Sequence, residues 1–319
     1  MQKNKKTGIG RIIFGVLLLG VLALAAVFAY NHYALNENFK ETFYQVGSGK
    51  IVDDLRVIQI SDLHDNEYGE GNEKLLSRIG ELTPDIIMLT GDIVDRESAD
   101  TQKAVALCGK LAEIAPVYYV YGNHETIRAF GYNDMSLPEL DQLTGCTEET
   151  RSSEPLHAMT DDLKTALEAV GVNVLWNEYE TLEIGGTQID VYGVLTDDPF
   201  AFWEYAEDTY VEFCDENRDH LKLMLCHRPY IYETWYGGAW SDLTMAGHTH
   251  GGQARIPYIG GVYEYRNGLL PEFGGNRCYV AGKYDVNGSP LVVSTGLAGD
   301  DWFRINNQPE LVVIDVSRY

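Results

Sequence analysis

Five apolar runs recur along the chain, and each ends in a short polar string. Residues 55–60 (LRVIQI) lead into Ser61-Asp62-Leu63-His64, 85–90 (DIIMLT) into Gly91-Asp92-Ile93-Val94-Asp95, and 116–121 (PVYYVY) into Gly122-Asn123-His124-Glu125. Residues 221–226 (LKLMLC) lead into His227-Arg228-Pro229, and 243–246 (LTMA) into Gly247-His248-Thr249-His250-Gly251-Gly252-Gln253. Such near-continuous apolar runs read as strands covered on both faces, as in a parallel sheet. Between them the period changes to that of a helix. In 72–82 the apolar positions are Leu75, Leu76, Ile79 and Leu82; in 100–114 they are Val105, Leu107, Leu111 and Ile114, with Asp100 or Thr101 available as a cap. Strand–helix–strand succession implies parallel strands joined by right-handed crossovers. Their C-terminal ends then share one edge, which gathers Asp62, His64, Asp92, Asn123 and His124.

The rhythm breaks at 126–160, a mixed polar and aromatic stretch without period that reads as a lid-like insertion. A helix is expected over 161–170, a strand over 172–176, and a hairpin about Gly185-Gly186. Residues 199–218 read as helical. A Gly- and Tyr-rich tract, 254–282, precedes apolar runs at 291–294 and 311–316 that are spaced like antiparallel sheet.

The N-terminus has a different pattern. Residues 12–30 are uncharged and mostly apolar, long enough to cross a hydrocarbon core of about 30 Å. Lys3, Lys5, Lys6 and Arg11 precede this run and no acid occurs before Glu37, so the bias of positive residues places 1–11 in the cytoplasm and the rest outside. The competing reading is a cleaved signal peptide, which would make the protein secreted; the run exceeds the usual length of that signal. Residues 31–50 read as a stalk, and 51–319 as one catalytic-sized domain.

Charge narrows the partners. The 48 acidic residues outnumber 24 basic ones, for a net charge of −24, and four of the basic residues lie before the apolar run. Such a surface repels phosphate backbones, so no nucleic-acid partner is expected. A phosphorylated substrate would need local cations. The five cysteines show no CxxC spacing, which argues against a zinc-thiolate site; Cys108 and Cys226 read as small buried hydrophobes.

Candidate chemistry centres on GHTHGGQ. In an extended segment residues i and i+2 face the same way, so His248 and His250 can line one cavity, and the glycines let backbone approach bound groups closely. Asp95 and His124 stand beside the other strings, where Asp95 could also cap a helix and His124 could act as a hydrogen-bonding neighbour. Arg96 and Arg228 read equally as phosphate contacts or surface charges. The aromatic residues Trp203, Tyr205, Tyr230, Tyr232, Trp235, Tyr236 and Trp240 read as a groove for a lipid or base, or as packing.

With DLH, GDIVD, GNHE, CHRP and GHTHGGQ in this order, the chain resembles the calcineurin-like metallophosphoesterase superfamily over roughly 51–319. GGVY, GLLPEFGG, YVAGKY, STGLAG and FRINNQPELVVIDV make it similar to the membrane-associated YkuE-type and YaeI-type branch. The resemblance implies a four-layer α/β/β/α sandwich holding two divalent metal ions. It implies Asp62, His64, Asp92 and His250 as ligands of one ion and Asp92, Asn123, His227 and His248 as ligands of the other. Imidazole, carboxylate and amide donors without thiolate suit Mn, Fe or Zn. The activity implied is hydrolysis of a phosphodiester, phosphomonoester or pyrophosphate of a small molecule or lipid by water activated between the ions. His124 would be the leaving-group acid and Asp95 the carboxylate that orients it. A UDP-2,3-diacylglucosamine-type pyrophosphatase and a non-catalytic binding module are the alternatives.

Overall fold

Val57 and Ile58 are neighbours on one strand, both fully buried, and they enter different hydrophobic cores. That alternation runs through the computed structural model, which describes residues 3–31, 38–130, 142, 147, 161–195, 207–215, 219–230, 240–256, 258–264, 268–271, 279–298 and 304–318. In order the elements are α1 (Lys3–Tyr30), β1 (Lys40–Gly47), β2 (Leu55–Ile60), α2 (Glu73–Leu82), β3 (Ile86–Leu89), α3 (Gln102–Ala112) and β4 (Val117–Tyr119). Then follow α4 (Asn123–Phe130), α5 (Asp162–Ala169), β5 (Val172–Val174), β6 (Glu178–Ile184), β7 (Thr187–Gly193), α6 (Glu207–Phe213), β8 (Leu221–Leu225) and β9 (Leu243–Ala246). Four two-residue strands, β10 (Arg255–Ile256), β11 (Gly260–Gly261), β12 (Tyr263–Glu264) and β13 (Gly268–Leu269), precede β14 (Gly282–Val286), β15 (Ser289–Val293) and β16 (Glu310–Ser317).

Two six-stranded sheets result, ordered β1-β16-β2-β3-β4-β5 and β14-β15-β9-β8-β7-β6. Strands β2 to β5 run parallel, as do β7, β8, β9 and β15. The inner faces meet through Val57, Met88, Val120, Val191, Leu223 and Met245, all in one core. On the outer face of the first sheet, Ile58, Ile87 and Val117 pack against Leu75 and Ile79 of α2, Leu107 and Leu111 of α3, and Leu167 of α5. On the outer face of the second, Tyr192 and Met224 pack with Tyr210 and Phe213 of α6. This is the α/β/β/α sandwich. Asp161 caps α5 by accepting from Lys164 N at 2.7 Å.

The structure departs from the sequence pattern in three places. The expected stalk contains β1, an edge strand paired in parallel with β16 from Lys40↔Glu310 to Gly47↔Ser317, so the folded unit begins before residue 51. The runs at 291–294 and 311–316 lie in different sheets, and each has one parallel and one antiparallel neighbour. Residues 126–130 continue a helix, whereas most of the expected lid lies outside the described residues. Cys108 and Cys226 are buried as expected, and burial pushes both thiols up to about 12. Helix α1 contains an apolar span, Gly10–Tyr30, long enough to cross a membrane and with none of it buried against protein.

Candidate metal centre

Every candidate ligand follows a parallel strand at its C-terminal end, and the loops that carry them are tied together. Asp62 N donates to Gly91 O and His64 N to Asp92 O, each at 3.0 Å, so the loops after β2 and β3 run side by side. Asp62, His64, Asp92, His248 and His250 all have left-handed backbones, with φ of 49°, 48°, 52°, 70° and 46°. Such conformations in non-glycine residues cost about 1–3 kcal/mol each and persist only where the surrounding structure enforces them. Here they accompany side chains whose donor atoms converge on one another.

Two adjoining groups of donors form. In one, Asp62, His64 and His250 bring ligand atoms within 4.8 Å of one another; in the other, Asp92, His227 and His248 do the same. His227 Nε2 lies 3.1 Å from Asp92 Oδ2, 3.1 Å from His248 Nδ1 and 3.2 Å from Asn123 Oδ1. Separations near 3 Å are those of neighbouring ligands around a cation bound at about 2.0–2.2 Å. Asp92 Oδ2 also lies 3.8 Å from His64 Nε2, so one carboxylate reaches both groups. The ring of His227 is held from behind, with Nδ1 at 2.9 Å from Thr90 O. This donor set fits divalent cations: the imidazoles are borderline ligands, the carboxylates hard ones, and the amide oxygen adds no charge.

Burial disfavours the charged ring at His64 and at His250. Burial drives His64 down to about 4, with His124 and His227 adding repulsion against the attraction of Asp92 and Asp95. Burial, then His64 and Arg304, hold His250 well below the ordinary histidine range. Burial also pushes Asp62 up to about 6 against the pull of His227. For Asp92 burial opposes ionisation, but the charge and hydrogen bond of His227, then His64 and His124, hold it well below the carboxylate range.

The model of a family described as calcineurin-like phosphoesterase matches residues 55–252. The chain belongs to that family. Among its relatives, the uncharacterized metallophosphoesterase YkuE of Bacillus subtilis is 26% identical over 99% of both chains. Phosphodiesterase YaeI of Escherichia coli is 24% identical, over 92% of this chain and 94% of its own. The UDP-2,3-diacylglucosamine pyrophosphatase LpxG of Chlamydia trachomatis is 25% identical, over 82% of this chain and 83% of its own.

Within this member of the family, His124 and Asp95 lie beside the two groups, and with His64 they form a third cluster. The backbone N–H of Arg96 donates to His124 Nδ1 at 3.1 Å, which leaves Nε2 to carry the proton of a neutral ring. Asp95 Oδ2 is 3.7 Å from the same Nδ1, too far for a hydrogen bond but close enough to stabilise an imidazolium; its Oδ1 accepts from Glu97 N at 2.8 Å. Asp95 therefore closes a local turn and caps no helix. Arg96 is exposed, whereas Arg228 is buried with Nη1 at 2.9 Å from Tyr230 Oη. Of the aromatic groove, Tyr230 is half-buried and Trp240 exposed; Trp203, Tyr205, Tyr232, Trp235 and Tyr236 lie outside the described residues.

Two residues of the site escaped the sequence reading. Glu125 is fully buried, and its carboxylate accepts from the backbone N–H groups of Asp92 (2.9 Å), Ile93 (2.8 Å), Val94 (3.0 Å) and Gly122 (2.9 Å) and from Tyr119 Oη (2.6 Å). It clamps the loop carrying Asp92 to the one carrying Asn123 and His124. Its only sequence signal is its place directly after Asn123-His124. Arg304 is also buried: Nη2 donates to Thr295 O at 2.7 Å and lies 3.3 Å from His250 Nδ1. Burial lowers its pKa to about 10 against the pull of Tyr68 and Asp62. It lies in the string FRINNQPELVVIDV, which carries the family resemblance but does not mark this arginine as part of the site.

Proposed function

We propose that this chain is a metal-dependent phosphoesterase anchored in a membrane by α1, with its catalytic domain outside the cytoplasm. It would hydrolyse a phosphodiester or pyrophosphate of a lipid or cell-envelope component. The observation that carries this reading is the convergence of seven buried or half-buried donors in two adjoining groups that share Asp92. Asp62, His64 and His250 with Asp92 would hold one cation, and Asp92 with Asn123, His227 and His248 the other. Divalent cations in these positions supply Lewis acidity toward a phosphoryl oxygen and an acidified water. Asp62 keeps its place through two contacts of 3.0 Å from His248 N to its carboxylate oxygens, and Asp92 Oδ1 accepts from His124 N at 2.8 Å. His124, its Nδ1 occupied by the N–H of Arg96, would present its Nε2–H as a hydrogen-bond donor to the departing oxygen. Asp95 would stabilise the ring whenever it carries a positive charge. Buried walls exclude bulk water and strengthen each of these interactions.

The names of YaeI and LpxG support a diester or pyrophosphate bond over a monoester. LpxG also favours a second, narrower reading, a UDP-2,3-diacylglucosamine-type pyrophosphatase. A topology reporter separates the readings, because that substrate class calls for a domain on the cytoplasmic side. To test the main reading, the full chain is purified in detergent, stripped of metal, and assayed on an aryl phosphodiester with Mn²⁺, Fe²⁺ or Zn²⁺. Hydrolysis should return with at least one metal; inactivity with all of them would favour a binding module on the same fold.

A further inference from the structure

Directly after GHTHGGQ the chain leaves the second sheet and makes two small antiparallel pairs, β10–β11 and β12–β13, before returning in β14. This tongue is apolar where it meets solvent. Ile256, Tyr258, Ile259, Tyr263, Leu269 and Leu270 are all exposed, Leu269 by 77%. In a protein with a net charge of −24, residues 254–270 contain two arginines and one glutamate, together with three tyrosines, a residue type enriched at membrane interfaces.

The tongue is joined at its base to the end of α1. Asn31, the residue after α1, accepts from Asn306 N at 2.6 Å, and Asn306 Nδ2 donates to Arg255 O at 3.0 Å. Arg255 N in turn donates to Ile305 O at 2.9 Å. The point where α1 leaves the bilayer is therefore also the root of the tongue. The tongue is equally joined to the metal centre. Arg255 Nη1 donates to Gly251 O at 2.8 Å, and a Cβ on Gly252 would sit 3.2 Å from Tyr263 O and 3.3 Å from the Cα of Gly261. His250 is thus one residue from a loop packed against the tongue.

We infer that the tongue from β10 to β13 is a membrane-docking surface continuous with the anchor helix, which sets the metal centre against the bilayer to receive a phosphoester borne by a lipid. This rests on the anchored reading above. Interfacial elements bury apolar side chains about 5–10 Å into the boundary between headgroups and acyl chains, a depth suited to the tips of this tongue. Apolar contact also provides adhesion that an acidic protein cannot obtain from anionic headgroups.

The full chain, reconstituted in vesicles of phosphatidylethanolamine and phosphatidylglycerol, provides the test. A tryptophan is introduced at Leu269 (Leu269→Trp) or, as control, at exposed Val52 (Val52→Trp). Val52 precedes β2 and so lies at the opposite edge of the sheet from the metal centre. Lipids brominated in the upper acyl chain should quench most of the emission added at 269 and none of that added at 52, relative to the unsubstituted protein. A chain that does not float with vesicles overturns the anchored reading and this inference together. A chain that floats but shows equal quenching at both positions overturns the docking surface alone. Emission at 269 that is shielded from acrylamide yet untouched by brominated lipid would assign the patch to a second copy of the chain and also overturn it. For the substrate, Ile256→Ser combined with Leu269→Ser should lose hydrolysis of an aryl phosphodiester carried on a vesicle lipid and keep hydrolysis of the soluble ester. Equal retention of both would refute delivery from the bilayer.

Discussion

Replacing Glu125 by Gln changes one carboxylate oxygen to an amide group at the joint between two ligand-bearing loops. The oxygens divide five donors: Oε1 takes Ile93 N, Val94 N and Tyr119 Oη, and Oε2 takes Asp92 N and Gly122 N. A glutamine fits best with its oxygen on the three-donor side, leaving its NH₂ against two backbone N–H groups. Each buried donor left without an acceptor costs about 1–3 kcal/mol, so the substitution costs about 2–6 kcal/mol. For a domain of this size that lowers Tm by roughly 5–20 °C. Because one orphaned donor is the N–H of Asp92, the side chain reaching both donor groups shifts as well. Thermal unfolding in detergent, with metal content measured by mass spectrometry on the same sample, reads both effects. Glu125→Gln should unfold early and retain less metal. An unchanged Tm with full metal content would refute the clamp.

Other outcomes follow from the same geometry. A Cβ on Gly122 would meet Asp92 Oδ1 and sit 2.6 Å from Asp92 N, so Gly122→Ala should displace Asp92 and lose metal while the chain still folds, as read by metal analysis and circular dichroism. His124→Ala should lower kcat by roughly 10²–10⁴ with metal content unchanged; loss of metal instead would show that His124 supports the ligands. The Asp62 carboxyl is raised in the folded chain from 3.8 to about 6, so on its own it stabilises the metal-free fold most at low pH and withdraws that support as pH rises through 6. Cation binding needs the ionised form, so metal affinity measured by calorimetry should rise about tenfold per pH unit up to about 6 and then level off. A flat profile would contradict the burial of Asp62.

Local periodicity made much of this legible. Helices expected over 72–82 and 100–114 form as Glu73–Leu82 and Gln102–Ala112, because apolar residues at helical spacing have one sheet face to cover. The strand ends bring together the donors that the motifs single out, since parallel strands direct their C-terminal loops to one edge. What was not legible depends on distant partners. Strand β1 has a mixed exposed and buried pattern, and its one strand partner among the described residues, β16, comes from the other end of the chain. The donors to Glu125 come largely from a loop more than 25 residues earlier, and Arg304 meets His250 across 54 positions. Neither contact leaves a local trace. The tongue was visible only as a Gly- and Tyr-rich tract, because exposure of its apolar residues is a property of the fold.

The most direct test of the central claim is an anomalous difference map from crystals of the protein loaded with Mn²⁺. The account predicts two adjacent peaks, one enclosed by Asp62, His64 and His250 and one by Asn123, His227 and His248, with Asp92 between them. A single peak bound by His64, Asp95 and His124, or none within the cavity, would contradict it.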